Sequence, residues 1–389
     1  MNHLHLVSGN ELTLLQNGAA FFPQLCADID ATQRSIYLES YILASDDVGH
    51  QVAQALQRAA KRGVIVRVLL DGFGSAELPT AFVDELHRAG VEVQWFRREI
   101  SPFTLSRSRM RRLRRMHRKL AVMDGEVAFV GGINIVHDIP ERTGFETPRL
   151  DYAVRVKGEL AGEVQAVMQR LWEMVSWAAF RKRVKEEGWR LYRVRPRHDS
   201  NVQLVLRDNV RHRRDIERAY LKAISGAKHE IIVANAYFLP GRLFQRALMH
   251  AIRRGVRVVL LLQGKVEYRL QHYATLALYG RLLNAGVEIY EYHASFLHAK
   301  VAVVDGEWAT VGSFNIDPFS LLLAREANLV VRDAGFAGDL RSSLWATIAR
   351  DGRRVVFARA SLLTRILARM SYDLIRFIIG VLGISNRHR

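Results

Sequence analysis

Short apolar runs alternate along this chain with stretches whose apolar residues recur at helical spacing. Arg34 to Leu43 and Val64 to Asp71 are rich in β-branched residues and Leu, as buried strands are. Between them, Asp47 to Arg62 sets Val52, Ala53, Leu56 and Ala59 on one face, which predicts a helix closed by Gly63. Val91 to Phe96 and Leu120 to Met123 predict further strands, and the same βαβαβ order returns in the second half. The pattern predicts an α/β sandwich in each half with a largely parallel core, since Val301-Ala302-Val303-Val304 is continuously apolar, as parallel strands buried on both faces are.

The halves are related by an internal repeat. Met116-His117-Arg118-Lys119 leads into an apolar run, then Asp124-Gly125-Glu126 and Val130-Gly131-Gly132-Ile133-Asn134. Leu297-His298-Ala299-Lys300 leads into another, then Asp305-Gly306-Glu307 and Val311-Gly312-Ser313-Phe314-Asn315. Flanking strings repeat as well, among them Lys61-Arg62-Gly63-Val64 against Arg253-Arg254-Gly255-Val256, and Tyr41-Ile42-Leu43 against Tyr237-Phe238-Leu239. The offset between copies is larger upstream of the histidines, so the first half carries an insertion. That insertion, between Phe96 and His117, holds Arg107, Arg109, Arg111, Arg112, Arg114 and Arg115, with the apolar Phe103 and Leu105 nearby.

Charge adds a class of partner to this picture. The 389 residues carry 57 Lys+Arg against 39 Asp+Glu, a formal charge of +18, which points to polyanions: nucleic acid, an anionic lipid surface or a phosphorylated substrate. Only nine of the basic residues are Lys, so the excess is arginine, whose planar fork pairs bidentately with phosphate. The lone Cys26 excludes an intrachain disulfide and a CxxC metal site. Met1 to Gly18 lacks the features of a secretory signal, and no apolar run approaches the ~20 residues of a membrane-spanning helix. These features predict a cytoplasmic protein that can associate with a membrane without spanning it.

The repeated motif supplies the chemistry. His117 and Lys119, like His298 and Lys300, stand two apart on predicted strands, so each pair presents an imidazole and an ammonium on one face. Gly131-Gly132 and Gly312-Ser313 permit close backbone approach, and Asn134 and Asn315 add side-chain donors. If the halves face each other, two His, two Lys and two Asn converge on one phosphate cradle. Cationic donors would offset the repulsion between an anionic phosphodiester and its attacker. One imidazole would attack phosphorus while the other shuttles a proton. The scheme demands no metal and no cofactor. Glu39 and Asn235, near the ends of the repeated strand, are read either as cleft residues or as strand-end hydrogen bonds, and Tyr41 and Tyr237 as core.

At these residues the sequence resembles the phospholipase D superfamily, whose HxKxxxxD signature followed by G(G/S)xN is present twice, over roughly Leu12 to Arg332. The resemblance implies two pseudo-symmetric α/β sandwich halves with the active site at their interface. It completes the catalytic motif with Asp124 and Asp305, whose part is mainly to order a turn. It assigns the positioning of a histidine to a separate acid: Glu326 in the second half and, after a longer loop, Asp151 in the first. It places the nucleophile in the first motif, His117, and the general acid and base at His298, with the reverse left open by the symmetry. Strings such as Leu70-Asp71-Gly72-Phe73-Gly74-Ser75 and Val311-Gly312-Ser313-Phe314-Asn315-Ile316-Asp317-Pro318 resemble the bacterial cardiolipin synthases, in particular the type without N-terminal transmembrane helices. This implies transfer of a phosphatidyl group from one phospholipid to phosphatidylglycerol, the donor being open between phosphatidylglycerol and phosphatidylethanolamine. Hydrolysis of phospholipid or nucleic acid is the alternative, with nucleic acid disfavoured because no recognisable nucleic-acid motif or stacking platform appears.

The expected organisation is a first half over residues 1–180, a connector over 181–200, a second half over 201–350 and a basic tail over 351–389. From Ser361 the tail repeats Leu362, Ile366, Leu367, Met370, Leu374 and Phe377 at helical spacing, with Arg365, Arg369 and Arg376 on another face. This pattern predicts an interfacial helix on an anionic membrane.

Overall fold

The computed structural model describes residues 3–97, 114–139, 144–178, 201–209, 211–356 and 362–387. The arginines from Arg107 to Arg112, the apolar pair Phe103 and Leu105, and the connector at 181–200 lie outside the described residues.

Each half is built on one sheet. The first contains β1 (Leu4–Val7), β2 (Asn10–Gln16), β3 (Ser35–Ser40), β4 (Ile65–Asp71) and β5 (Glu92–Phe96), then β7 (Leu120–Met123), β8 (Val127–Gly131) and β9 (Tyr152–Gly158), in the spatial order β1-β2-β9-β8-β7-β3-β4-β5. Helices α1 (Asn17–Ala31), α2 (Asp47–Lys61), α3 (Thr80–Arg88) and α4 (Glu159–Ala178) accompany it. The second sheet runs β10 (Val202–Arg207), β16 (Ala324–Arg332), β15 (Trp308–Gly312), β14 (Lys300–Val304), β11 (Glu230–Asn235), β12 (Arg257–Gln263), β13 (Glu288–Tyr292) and β17 (Gly352–Arg354). Its helices are α5 (Asp215–Gly226), α6 (Arg242–Arg253), α7 (Arg269–Asn284), α8 (Pro318–Leu323), α9 (Ala334–Asp351) and α10 (Leu362–Arg387). A short strand β6 (Arg115–Met116) from the first half pairs with β16 of the second.

The expected strands and the helix ending at Gly63, where φ is +89°, are present. A largely parallel core is not. Among the described residues, only β3-β4-β5, β11-β12-β13 and the short β6–β16 ladder pair in parallel, and the other ladders of the two sheets are antiparallel. The reason is local: Asp124-Gly125 and Asp305-Gly306 form tight turns with positive φ, and so short a connection can join only antiparallel strands. Helices α1 to α3 cover one face of the first sheet around Leu25, Val52, Leu56 and Val68, and α5 to α7 cover the matching face of the second around Tyr220, Phe244, Leu248 and Leu260. A third apolar cluster is shared, joining Val130, Val154 and Val164 to Val301, Leu329 and Leu340, so the halves meet through a common core.

The motif aspartates belong to this framework. Asp124 accepts from the backbone N–H groups of Gln33, Arg34 and Ser35 at 2.8 to 2.9 Å, and Asp305 from those of Lys228, His229 and Glu230 at 2.8 to 2.9 Å. Each ties the turn to the start of the central strand, at the opposite end of its own strand from His and Lys. Both therefore order the turn, and these hydrogen bonds run to the scaffold and not to the converging His and Lys side chains.

The tail helix α10 forms but is partly claimed by the fold. It packs against α7, burying Ala368 and Ile375, a stripe different from the one the pattern marked. Ile366, Leu367, Met370, Leu374 and Phe377 stay exposed. Among the described residues, no helix is long and apolar enough to cross a membrane.

Replacing Asp124 or Asp305 by Ala removes a carboxylate from several backbone donors and should cost about 1–3 kcal/mol of stability each. Turnover per folded molecule should remain within a few-fold. Urea denaturation together with activity corrected for the folded fraction checks both; a large loss of turnover at unchanged stability would contradict the structural role.

Candidate active site

Each histidine is held by the opposite half. The segment before His117 runs parallel to β16, and the His117 N–H donates to the Arg325 carbonyl at 2.9 Å. The segment before His298 meets the strand leading to β9 through a Leu150–Leu297 bridge, and the His298 N–H donates to the Leu150 carbonyl at 2.9 Å. The residue after each of these carbonyls is an acid. His117 Nδ1 accordingly lies 3.0 Å from Glu326 Oε2, and His298 Nδ1 lies 2.6 Å from Asp151 Oδ2. Both carboxylates are buried. With Nδ1 donating to a carboxylate, each ring is fixed in one tautomer and keeps Nε2 free for chemistry.

His117, Arg118 and Lys119 form an irregular extended stretch entering β7, and His298 and Ala299 likewise precede β14, so they do not sit within strands as the spacing implied. The alternation of side chains survives. Lys119 Nζ donates to the His117 carbonyl at 2.8 Å, and Lys300 Nζ to the His298 carbonyl. Arg118 faces away, into an interior ion pair with Glu39 in which Nη2 donates to Oε1 at 2.9 Å. Glu39 thus holds a strand end and not the cleft. Asn235 does the same, its Oδ1 accepting from the Ile316 N–H at 3.1 Å. Asn134 commits its Oδ1 to the Ile42 N–H at 3.2 Å, leaving its amide to donate. Asn315 is buried with its Oδ1 unpartnered among the described residues. Gly132 has a steric reason to lack a side chain: a Cβ there would lie 2.3 Å from Asp151 Oδ1. Ser313 stands at the same place in the repeat and donates to Glu326 Oε2 at 2.6 Å.

Two site residues escaped the sequence reading. Tyr41, read as core, sets its ring edge-on to His117 with centroids 4.7 Å apart, and Lys119 Nζ lies 5.1 Å from the centre of that ring. Asp71 accepts from the Met116 N–H at 2.7 Å and so anchors the entry to His117. The Tyr41-Ile42-Leu43 string repeated in the second half marked Tyr41, but an aromatic at a strand end carries no sign of its partner. Tyr237, its counterpart, instead donates to Glu267 Oε2 at 2.5 Å in a small cavity beside α7.

The electrostatics show how close the two motifs are. Burial pushes Lys119 down to about 7, helped by the Lys300 charge, and pushes Lys300 itself down to about 8. Burial also lowers His117, reinforced by Lys119 and Lys300 and opposed by Glu326. His298 falls well below the ordinary histidine value through burial, then Lys300, Lys119 and His117. The acids diverge. Burial drives Asp151 up to about 6 against the pull of Lys300, while for Glu326 the His117 and Lys119 charges and the Ser313 hydrogen bond outweigh burial and leave it below the ordinary range. Glu326 is therefore the firmer anion. The site as a whole holds its cations at a cost in burial, which a nearby anion would offset.

The geometry agrees with what the chain is similar to. The family described as cardiolipin synthase, PLD-like domain, matches residues 25–172 and 220–348. The chain belongs to this phospholipase D-like cardiolipin synthase family. It is 41% identical to cardiolipin synthase B of Escherichia coli K12 over 347 residues, covering 89% of this chain and 82% of that one. It is 33% identical over 332 residues to a cardiolipin synthase of Geobacillus kaustophilus, covering 83% of this chain and 63% of that one. The phosphatidylserine synthase of Haemophilus influenzae Rd KW20 shares the fold with a TM-score of 0.69 at 14% identity, covering 96% of this chain and 94% of that one.

Because Lys119 and Lys300 have depressed pKa values in the folded protein, the unfolded chain binds more protons between about pH 7 and pH 10, and their burial penalises folding most at the acid end of that range. Lys119→Met and Lys300→Met should therefore raise the urea midpoint near pH 6.5, with a smaller gain near pH 9.5. Midpoints that fall at both pH values would show that the lysines stabilise the fold.

Proposed function

We infer that this protein is a cardiolipin synthase, a phosphatidyltransferase that joins phospholipids through a covalent enzyme intermediate. The observation that carries the reading is the reciprocal clasp, in which each motif histidine is oriented by a buried carboxylate of the other half, within a family of cardiolipin synthases. Phospholipids are the substrate class, and we take phosphatidylglycerol as the acceptor.

His117 is the proposed nucleophile, because Glu326 is the stronger anion and best supports the positive charge that its ring acquires. Its Nε2 attacks phosphorus, a N–P bond forms and the bond to the leaving alkoxide breaks. His298, protonated when the anionic substrate is bound, gives its proton to that alkoxide, and a small alcohol departs. The acceptor hydroxyl then enters, His298 takes its proton, and the new alkoxide attacks the phosphohistidine to release cardiolipin and free His117. Lys119, Lys300, Asn134 and Asn315 bind the non-bridging oxygens, whose charge develops in the transition state. The outward apolar face of α10, with Met370, Leu374 and Phe377 exposed beside Arg369 and Arg376, supports peripheral docking on an anionic bilayer.

The direct test is product analysis by mass spectrometry on vesicles containing labelled phosphatidylglycerol and phosphatidylethanolamine. Cardiolipin with a released alcohol is expected, and phosphatidic acid alone would replace the synthase reading by hydrolysis.

Glu326→Gln should lower kcat by roughly 10⁴-fold, as loss of an imidazole-orienting carboxylate does elsewhere. Glu326 raises the His117 pKa, and attack needs neutral His117, so the acid limb of kcat/KM should shift to lower pH in the variant. An unshifted limb with reduced kcat would mean that Glu326 acts only on folding.

A further inference from the structure

A second concavity, of about 760 Å³, opens where the end of β10 and the start of α5 meet the N-terminus of α6 together with α8 and α10. Its volume falls within the range of roughly 300–1,000 Å³ of small-molecule sites. Among the described residues, no histidine or lysine of the two motifs lines it. Leu239, Pro240, Leu243, Leu321 and Leu322 make much of its wall apolar. Around them stand Arg207, Arg213, Arg214, Arg242 and Arg376 against one acid, Glu217.

Three features of this wall are left unexplained by folding. Arg242 opens α6, whose cap Gly241 offers no side-chain acceptor and whose first turn contains no acid. A cation at that end opposes the helix dipole, yet together with the first-turn N–H groups, which the Gly241 cap leaves without a side-chain acceptor, it suits an anion. Arg207 is 3% exposed and donates through Nη1 to the Ala324 carbonyl and through Nη2 to the Leu321 carbonyl, but its Nε is buried without a partner among the described residues. Asn209 is 8% exposed and its Oδ1 is likewise unpartnered among the described residues. An orphaned donor and an orphaned acceptor each cost stability unless a ligand meets them. The complement is a molecule with anionic oxygens, a hydroxyl and an apolar chain.

We propose that this cavity binds one anionic phospholipid with a hydroxylated headgroup. The phosphate sits at the α6 N-terminus among Arg242 and Arg376, the headgroup hydroxyl meets Asn209, and acyl carbons lie against Leu239, Leu243 and Leu322. Because Tyr372 and Arg376 of α10 form part of the wall, the bound lipid also braces the membrane-facing helix. Binding requires neither motif histidine and so stands apart from the phosphotransfer reading.

Isothermal titration on the full chain carrying His117→Ala, which prevents turnover, separates the two. Dihexanoyl phosphatidylglycerol below its micelle concentration should bind at the cavity in addition to the active centre. Arg242→Glu, at an exposed position, and Leu322→Trp, which fills the space, should each weaken the cavity event by about tenfold or more, as loss of a charge-assisted contact or of apolar room does. Circular dichroism confirms that the variants fold. Dihexanoyl phosphatidylcholine, glycerophosphoglycerol and inorganic phosphate should all bind this site more weakly. A single binding event untouched by both variants overturns the proposal. So does equal binding of inorganic phosphate, which would make the cavity an anion site, or of phosphatidylcholine, which would remove the role of charge. Cardiolipin synthesis by the parent protein without cavity binding leaves the function standing and removes this site; the converse removes the function alone.

Discussion

The structure depends on a reciprocal clasp. His117 reaches across to Glu326 and His298 reaches back to Asp151, and each contact is doubled by a backbone hydrogen bond to the residue just before the acid. Neither half can orient its own histidine. The shared apolar core follows from this requirement, since the two sheets must be held in one relative position for both clasps to close. So do the small residues at the centre: Gly132 admits Asp151, and Ser313 meets the longer Glu326 with a hydroxyl.

The clasp concentrates two imidazoles, two ammonium groups and two carboxylates in a space largely closed to water. Burial works against the charged form of each, most visibly at Lys119 and His298. Such an arrangement spends stability on readiness for an anion: fixed donors need no reorganisation when charge develops on a phosphoryl group. The same economy explains Arg118. It lies between His117 and Lys119 yet is turned inward onto Glu39, so a third cation does not crowd the centre.

Much of this was legible in the sequence. The repeat, both His-Lys pairs and the two-sheet α/β class followed from register and spacing, because a duplicated chemical pattern is preserved residue by residue. The antiparallel majority of the ladders was legible in principle from Asp124-Gly125 and Asp305-Gly306, but the continuous apolar runs masked it: a strand buried on both faces looks alike in either direction. Tyr41 and Asp71 were not legible, since their roles exist only through contacts with His117 and Met116 made across the fold. Nor was the buried stripe of α10, where Ala368 and Ile375 face α7 and the larger apolar residues face outward.

The halves are alike in plan and unequal in detail, and on the proposed mechanism this inequality divides the work of the histidines. Glu326 is the firmer anion and Asp151 the weaker, while His298 is the ring whose proton depends most on a bound anion. A symmetric pair could exchange roles; on the proposed mechanism the unequal acids favour one direction. Acid-stable trapping is not available to a phosphohistidine, so the measurement is an alkaline quench of the enzyme during turnover of phosphorus-labelled phospholipid, followed by peptide mass mapping. Label on the peptide containing His117 is the expected result. Label on His298, or rapid turnover with neither histidine labelled, contradicts it.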